Sequence, residues 1–385
     1  MTPRHLLPVA LALTAALAGC SSWNPLVAVG IMKQTAHPPT PLTAITATVT
    51  PKAVWTTQAG AASGFGFRPD IEGGRIYVAS AEGPVTVIEE ETGKVQQRTD
   101  TKKKLSSGVE VGESRIIVGT LKGEVIAFDP AGKEAWTTSV GGEVISPASV
   151  ARNVAVVRTA DGRIFGLSAA DGKRRWVFQR PMPSLLLRSE SGVKAVGGDV
   201  IAGYPNGKMI ALDIEDGSLT WEVTVAQPRG ATELERIADV AGLPILDGNN
   251  VCAAAFQGKV ACFEIASRNQ LWSRDLSTAL ALAADSRYVY VADDTGAVHA
   301  LDKTSGASVW KNDKLLYRRL TAPMVVAGLV VVGDGFGFIH VLSPDDGAIV
   351  GRLATDGSAI LAMVPASSGG AAIQTAKGAV ALVRF

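Results

Sequence analysis

One phrase recurs eight times along this chain, and a row of independent domains would not produce it. Gly83, Gly123, Gly162, Gly207, Gly258, Gly296, Gly337 and Gly378 stand 40, 39, 45, 51, 38, 41 and 41 residues apart. Each follows a segment such as Arg75-Ile76-Tyr77-Val78-Ala79 or Arg287-Tyr288-Val289-Tyr290-Val291. After it come an alternating apolar run, a polar turn that usually holds a second glycine and, 13 or 14 residues on, usually a tryptophan: Trp136, Trp176, Trp221, Trp272 and Trp310. Alternation of period two between glycine turns is the pattern of β-hairpins. A repeat of about 40 residues is the length of a four-stranded propeller blade. One such sheet cannot bury both of its faces, so the copies must pack face to face around an axis. The expectation is an all-β chain folded as an eight-bladed β-propeller of four-stranded antiparallel blades.

The copies also predict a register. If the positions six before and four after each turn glycine face one another, the pairs are Tyr77/Val87, Ile117/Ala127, Val156/Gly166, Ile201/Ala211, Cys252/Cys262, Tyr290/Ala300, Val331/Val341 and Ala372/Leu382. Most combine a large residue with a small one, as close packing requires, and the tryptophan supplies a wide plate between neighbouring sheets. The last copy stops at Ala379-Val380-Ala381-Leu382-Val383-Arg384-Phe385 without a tryptophan strand, whereas Val54-Trp55-Thr56 is a tryptophan strand with no hairpin before it. The N-terminal strand is therefore expected to complete the last blade and close the ring, which removes the open edges of a linear array. Gln97 and Gly351 stand in tryptophan slots and Arg268 replaces a turn glycine, so their blades are expected to be present but less regular.

The first residues read as an export signal: Arg4, an apolar core from Leu6 to Ala18, and the small-residue site Leu17-Ala18-Gly19-Cys20. This resembles a bacterial lipobox, in which Cys20 is acylated and heads the mature chain. By similarity to sorted lipoproteins, Ser21 after the cysteine implies the outer membrane. An apolar stretch this short is no permanent span, so lipid would hold the protein down. The alternative is an ordinary signal peptide whose cysteine is incidental. The expected division is a signal peptide over 1–19, a lipidated flexible tether over 20–50 with Pro38-Pro39 and Pro41, and the propeller over 51–385. Trp23, Leu26 and Val27 are expected to make no specific contact. With Cys20 lipidated, Cys252 and Cys262 are the remaining cysteines, and they fall on one facing pair. They form either a cross-strand disulfide, in an oxidising compartment, or two buried free thiols in slots that are apolar in other copies.

Sites for chemistry are scarce. Lys and Arg total 37 against 36 Asp and Glu, a formal charge of +1, which argues against nucleic acid as a partner. Lys102-Lys103-Lys104 reads as a solvated loop. His299 and His340 share a slot that is mostly apolar in other copies, which favours packed, hydrogen-bonded histidines over metal ligands; no zinc spacing surrounds them. Gly333-Asp334-Gly335-Phe336-Gly337 lies between two strands, whereas a phosphate loop needs a helix after it. Asp293-Asp294 and Asp345-Asp346 sit at turns without calcium-loop spacing. No catalytic residue, cofactor or metal is expected.

The two long intervals, 45 and 51 residues, place insertions after Trp176 and after Trp221, in consecutive connections between hairpins that should be neighbours on one face. The first reads Pro181-Met182-Pro183-Ser184-Leu185-Leu186-Leu187-Arg188, and the second contains Ala231-Thr232-Glu233-Leu234-Glu235-Arg236-Ile237-Ala238-Asp239-Val240. Leucines in a proline-flanked loop offer an exposed apolar patch with Arg188 as a polar anchor, unless they tuck under the loop and merely hold it. These two loops, the lipobox and the tryptophan-marked repeats together resemble the BamB family, the propeller lipoproteins of the outer-membrane β-barrel assembly machine. The similarity covers essentially the whole mature chain. The repeats alone resemble the wider class of pyrroloquinoline-quinone propellers, and the two loops narrow it.

The resemblance implies that the loops bind the periplasmic POTRA domains of the barrel-bearing subunit BamA. Leu185, Leu187 and Arg188 match the family's Leu-x-Leu-Arg motif, and Glu233, Arg236 and Asp239 match its second, acidic motif. The family often carries a further Asp two positions after Asp239, where this chain has Ala241. The resemblance further implies a non-catalytic scaffold on the periplasmic side of a Gram-negative outer membrane, lipid-anchored, assisting insertion of β-barrel proteins. Short blade edges give limited scope for holding nascent outer-membrane proteins by β-augmentation. Two alternatives remain. A quinone-dependent dehydrogenase would need a cofactor cavity, a calcium site and commonly adjacent cysteines, and here no two cysteines are adjacent. The other is a propeller lipoprotein scaffold with another periplasmic partner.

Overall fold

All eight facing pairs expected from the repeat stand opposite one another in the structure, from Tyr77 against Val87 round to Ala372 against Leu382. The structure is a computed structural model that describes residues 37–62, 66–189 and 191–385. The expected acylation site Cys20, the signal peptide and Trp23, Leu26 and Val27 lie outside the described residues. From Thr40 to Phe385 the chain forms one body of eight four-stranded antiparallel sheets. Blade 1 runs from its inner strand Asp70–Glu72 to its outer strand Val95–Asp100, and each later blade repeats that order. In the eighth, Lys52–Gln58 pairs with Ala379–Arg384 as the outer strand, so the first and last strands close the ring.

The turn glycines are required by what passes over them. Gly207 has φ 67°, and a Cβ there would lie 1.9 Å from the carbonyl oxygen of Ala226, on the connection leaving the same blade. That connection donates Val225 N–H to Gly207 O at 2.8 Å, as Val140 does to Gly123 and Thr355 to Gly337. At seven of the eight turns the repeated glycine thus supplies a left-handed conformation, the exception being Gly258, where Gln257 takes it at φ 49°.

Adjacent blades are joined by the tryptophans. The indole Nε1 of Trp55, Trp136, Trp176, Trp272 and Trp310 donates to Glu90, Ala169, Ile214, Lys303 and Pro344 O of the following blade, at 2.7–2.9 Å. Each ring lies on that blade's second turn glycine, where an added Cβ at Gly93, Gly172, Gly217, Gly306 or Gly347 would meet the indole at 2.4–2.6 Å. Burying the plate while pairing its one polar atom is the arrangement a large amphipathic ring requires.

The exceptions form complete sheets, and what changes is the joint. Gln97 lies against Gly132 of the next blade as an indole would. With its amide turned to satisfy both atoms, it donates to Pro130 O and accepts from Gly132 N, each at 3.2 Å. Gly351 is bare because the N-terminal segment occupies the plate's place: Thr48 and Val49 N–H both donate to Val350 O, and a Cβ on Gly351 would lie 2.8 Å from Val49 O. Arg268 carries the left-handed turn itself, at φ 61°. Residues 40–50, expected within the flexible tether, are instead laid on the ring. Thr40 N–H donates to Leu316 O, and Arg318 and Arg352 donate to Thr40 O and Thr43 O at 3.0 Å. The two cysteines left open as thiols or disulfide are bonded to each other, Cys252 to Cys262, with both side chains buried.

Around the axis, side chains of inner strands reach the backbone of the next blade. Asp70 accepts Val111 N–H at 2.7 Å, Glu110 accepts Val150 N–H at 3.2 Å and Ser149 accepts Ala195 N–H at 3.1 Å. Burial, reinforced by the neighbouring Asp70 charge, pushes the Glu110 carboxyl up to about 7, against the opposing pull of Arg68 and Lys194. A carboxyl raised in the folded state favours folding fully only below its unfolded value, and that contribution is lost as pH rises towards 7. Glu110→Gln keeps an acceptor for Val150 without a charge. The variant should therefore melt above the parent at pH 8 and with it at pH 4, and a melting difference independent of pH would contradict the assignment.

Candidate functional site

Connections between blades leave on the face that carries the turn glycines, as the Val140–Gly123 and Val225–Gly207 bonds establish. Both insertions lie there and flank blade 4: residues 179–192 precede its inner strand Val193–Val196, and 225–244 follow its outer strand Leu219–Thr224. The second insertion is built round a single tight turn. Glu235 accepts Ala231 and Thr232 N–H at 2.8 and 3.0 Å, and these backbone bonds hold its carboxyl below the ordinary range. Arg236 Nε returns to Gly230 O at 3.0 Å, which fixes the base of its side chain.

The two loops meet. Leu187 N–H donates to Asp239 Oδ2 at 2.6 Å, and Ser184 Oγ donates to Glu233 Oε2 at 3.3 Å. Leu185, Glu233, Arg236 and Asp239 share the wall of one pocket of about 200 Å³. The sequence motifs, separate along the chain, are thus brought to one place. Arg188 reaches the other way, to Glu143 on the connection between blades 2 and 3, at 2.8 Å. An exposed pair of this kind is worth about 0–1 kcal/mol, so Arg188 exchanges one carboxylate for another at little cost.

Asp239 departs from the expectation of a direct partner contact. It is 5% exposed, and its carboxylate is used within the protein. Burial raises its carboxyl above the ordinary value, opposed by the amides of Leu187 and Asn206 and by the charge of Arg158. Arg158 is itself buried, donates to Gly203 O at 2.6 Å and lies 4.6 Å over the ring of Tyr204, whose hydroxyl donates to Gly162 O at 2.5 Å. Asp239 is therefore a tie that sets the shape of the first loop from the base of the second. Ala241, 1% exposed, stands where an acid would be enclosed as well.

The leucines divide. Met182, Leu186 and Leu187 turn at least partly inward, towards a small cavity of about 130 Å³ above Arg158, whereas Leu185 is 43% exposed. Leu234, not among the residues expected from the motifs, is 65% exposed at the crest of the second loop. Its signal in the sequence was a lone leucine between Glu233 and Glu235, in a loop with no apolar periodicity to bury it.

The other candidates make their contacts within the fold. His299 and His340 each bond one turn carboxylate, Asp293 at 2.8 Å and Asp334 at 3.0 Å, and Arg318 closes on the same Asp334 at 2.7 Å. Burial pushes the His340 imidazole down. In the glycine string, Asp334 Oδ1 accepts Phe336 and Phe338 N–H at 2.9 Å, capping a hairpin turn. Lys103 pairs with Glu124 at 2.7 Å.

Known proteins share this architecture. The family model described as outer membrane protein assembly factor BamB matches residues 81–312. A curated protein of that name from Nitrosomonas eutropha is 43% identical over 315 residues, covering 82% of this chain and 77% of its own. The crystal structure of BamB from Moraxella catarrhalis superposes with a TM-score of 0.81 at 24% identity, over 87% of this chain and all of that one. A quinohemoprotein alcohol dehydrogenase from Comamonas testosteroni superposes at 0.68 with 12% identity, over 86% of this chain and 76% of its own, a likeness of fold alone. With the family model spanning more than half of it and a relative this similar over most of its length, the chain belongs to the BamB family of outer membrane protein assembly factors.

Proposed function

We propose that this chain is a non-catalytic scaffold of the outer-membrane protein assembly complex, which binds the POTRA domains of BamA and assists insertion of β-barrel proteins. The supporting observation is that two insertions, interrupting an otherwise regular repeat, converge on one face and leave Leu185 and Leu234 exposed beside charged side chains that are paired at the surface. An interface of this make-up anchors through apolar side chains and takes its orientation from charge. Leu185 and Leu234 supply the exposed apolar centre, with the half-buried Leu187 beside them, and Arg188, Glu233 and Arg236 the polar rim. Removal of the signal peptide and acylation of Cys20 would place the ring on the periplasmic side of the outer membrane, with a tether that ends near Thr40.

Leu187→Ala or Arg188→Ala should abolish co-purification with BamA while leaving thermal unfolding nearly unchanged. A loss of about 2 kcal/mol, some thirtyfold in Kd, is the scale of a central interface residue. Retention of binding by the double variant would remove these residues from the interface. Asp239 separates a tie from a contact. Asp239→Asn keeps an acceptor for Leu187 N–H and should bind BamA within about threefold of the parent, since little but charge is lost, whereas Asp239→Ala orphans that amide at about 1–3 kcal/mol and should lose binding. Equal loss in both variants would mean that the carboxylate meets the partner directly.

A further inference from the structure

A large space in the ring lies at its axis, among the described residues. A cavity of about 570 Å³, within the range of small-molecule sites, is walled by the inner strands and the residues leading into them. Its character is lopsided. Blades 6 to 8 contribute Leu282, Leu320, Met324, Leu361 and Met363, and the one charged side chain on the wall, among the described residues, is Arg68 of blade 1. Methionines make such a wall adaptable, because their unbranched chains fill irregular volumes.

Among the described residues, the one ion pair of Arg68 is a loose one. Its guanidinium lies 3.7 Å from Glu110, longer than a good charged hydrogen bond, and its side chain remains 31% exposed. Glu110 meanwhile gives its other oxygen to Val150 N–H, and its raised carboxyl is a weak competitor for the guanidinium at neutral pH. A planar donor fork held at one side of an apolar chamber matches a ligand with one planar anionic end and one linear apolar end. A neutral apolar ligand would leave the fork unused.

We propose that the axial cavity is a binding site for a long-chain carboxylate, with its head on Arg68 and its tail among Leu282, Met324, Leu361 and Met363. The site is separate from the two-loop surface but adjoins it. Gly192 and Val193, where the first insertion ends, and Leu243, where the second ends, both line the cavity. Occupancy therefore bears on the segments that carry the partner loops.

The test uses the mature chain with Cys20→Ser, so that neither lipid nor detergent competes, and calorimetric titration with decanoate, dodecanoate and tetradecanoate below their micellar concentrations. Saturable one-to-one binding is expected, about fourfold weaker for each methylene removed, the factor corresponding to about 0.8 kcal/mol. Arg68→Met should weaken dodecanoate at least tenfold and leave dodecanol unchanged. Leu361→Trp, or Met363→Trp should the first fail to fold by its melting curve, should fill the chamber and abolish binding. Absence of saturable binding by the parent, undiminished affinity in Arg68→Met, or undiminished affinity in a folded cavity-filling variant would each overturn the proposal.

Discussion

Everything in this ring depends on how one blade is laid against the next. A four-stranded sheet with two apolar faces is insoluble alone and stable only between neighbours, so the decisive contact is the joint and not the hairpin. Here the joint is an indole from one blade spread on a bare glycine turn of the following one, with its single polar hydrogen given to that turn's carbonyl. Glycine and tryptophan recur together at five of the joints and belong to different repeats, whereas the blade after Trp221 carries Arg268 at that turn. The two substitutes obey the same geometry: Gln97 reaches its neighbour's turn with an amide, and Gly351 makes room for the N-terminal segment.

The joint also explains why irregularity is informative. A blade is close to the shortest chain that forms four strands and a crossing, so extra residues have no place except in the connections. Both long connections flank blade 4, and they hold each other through a buried carboxylate that accepts a backbone amide. This gives the exposed leucines a fixed backbone without a helix or strand beneath them. Rigidity of that kind lowers the ordering cost of any association, which is a property of the loops independent of what they meet.

Much was legible from the residues. The period, the register of all eight hairpins and the closing strand followed from spacing and side-chain size, because each is a local consequence of a period-two pattern between glycine turns. Comparison among copies also made legible that His299 and His340 would be hydrogen-bonded within the blades and that the glycine string would form a hairpin turn. Less legible was anything that depends on depth. Asp239 and Arg188 look alike as charged loop residues, yet one is enclosed and the other exposed. Leu185 and Leu186 are adjacent and identical, and they part only because Leu185 is left open to solvent while Leu186 turns towards a buried arginine. That residues 40–50 lie on the ring was hidden because the contacts that hold them come from arginines about 280 and 310 residues away in the chain.

The sequence alone determined the number of blades, their order and the places where the pattern breaks, because these are written in distances along the chain. Tertiary structure alone decided which breaks meet, which carboxylate is a tie and which leucine faces water, and whether the two facing cysteines join. The reason is the same in each case: these properties arise from residues of different blades approaching through a closed ring, and ring closure brings together positions that no local pattern relates.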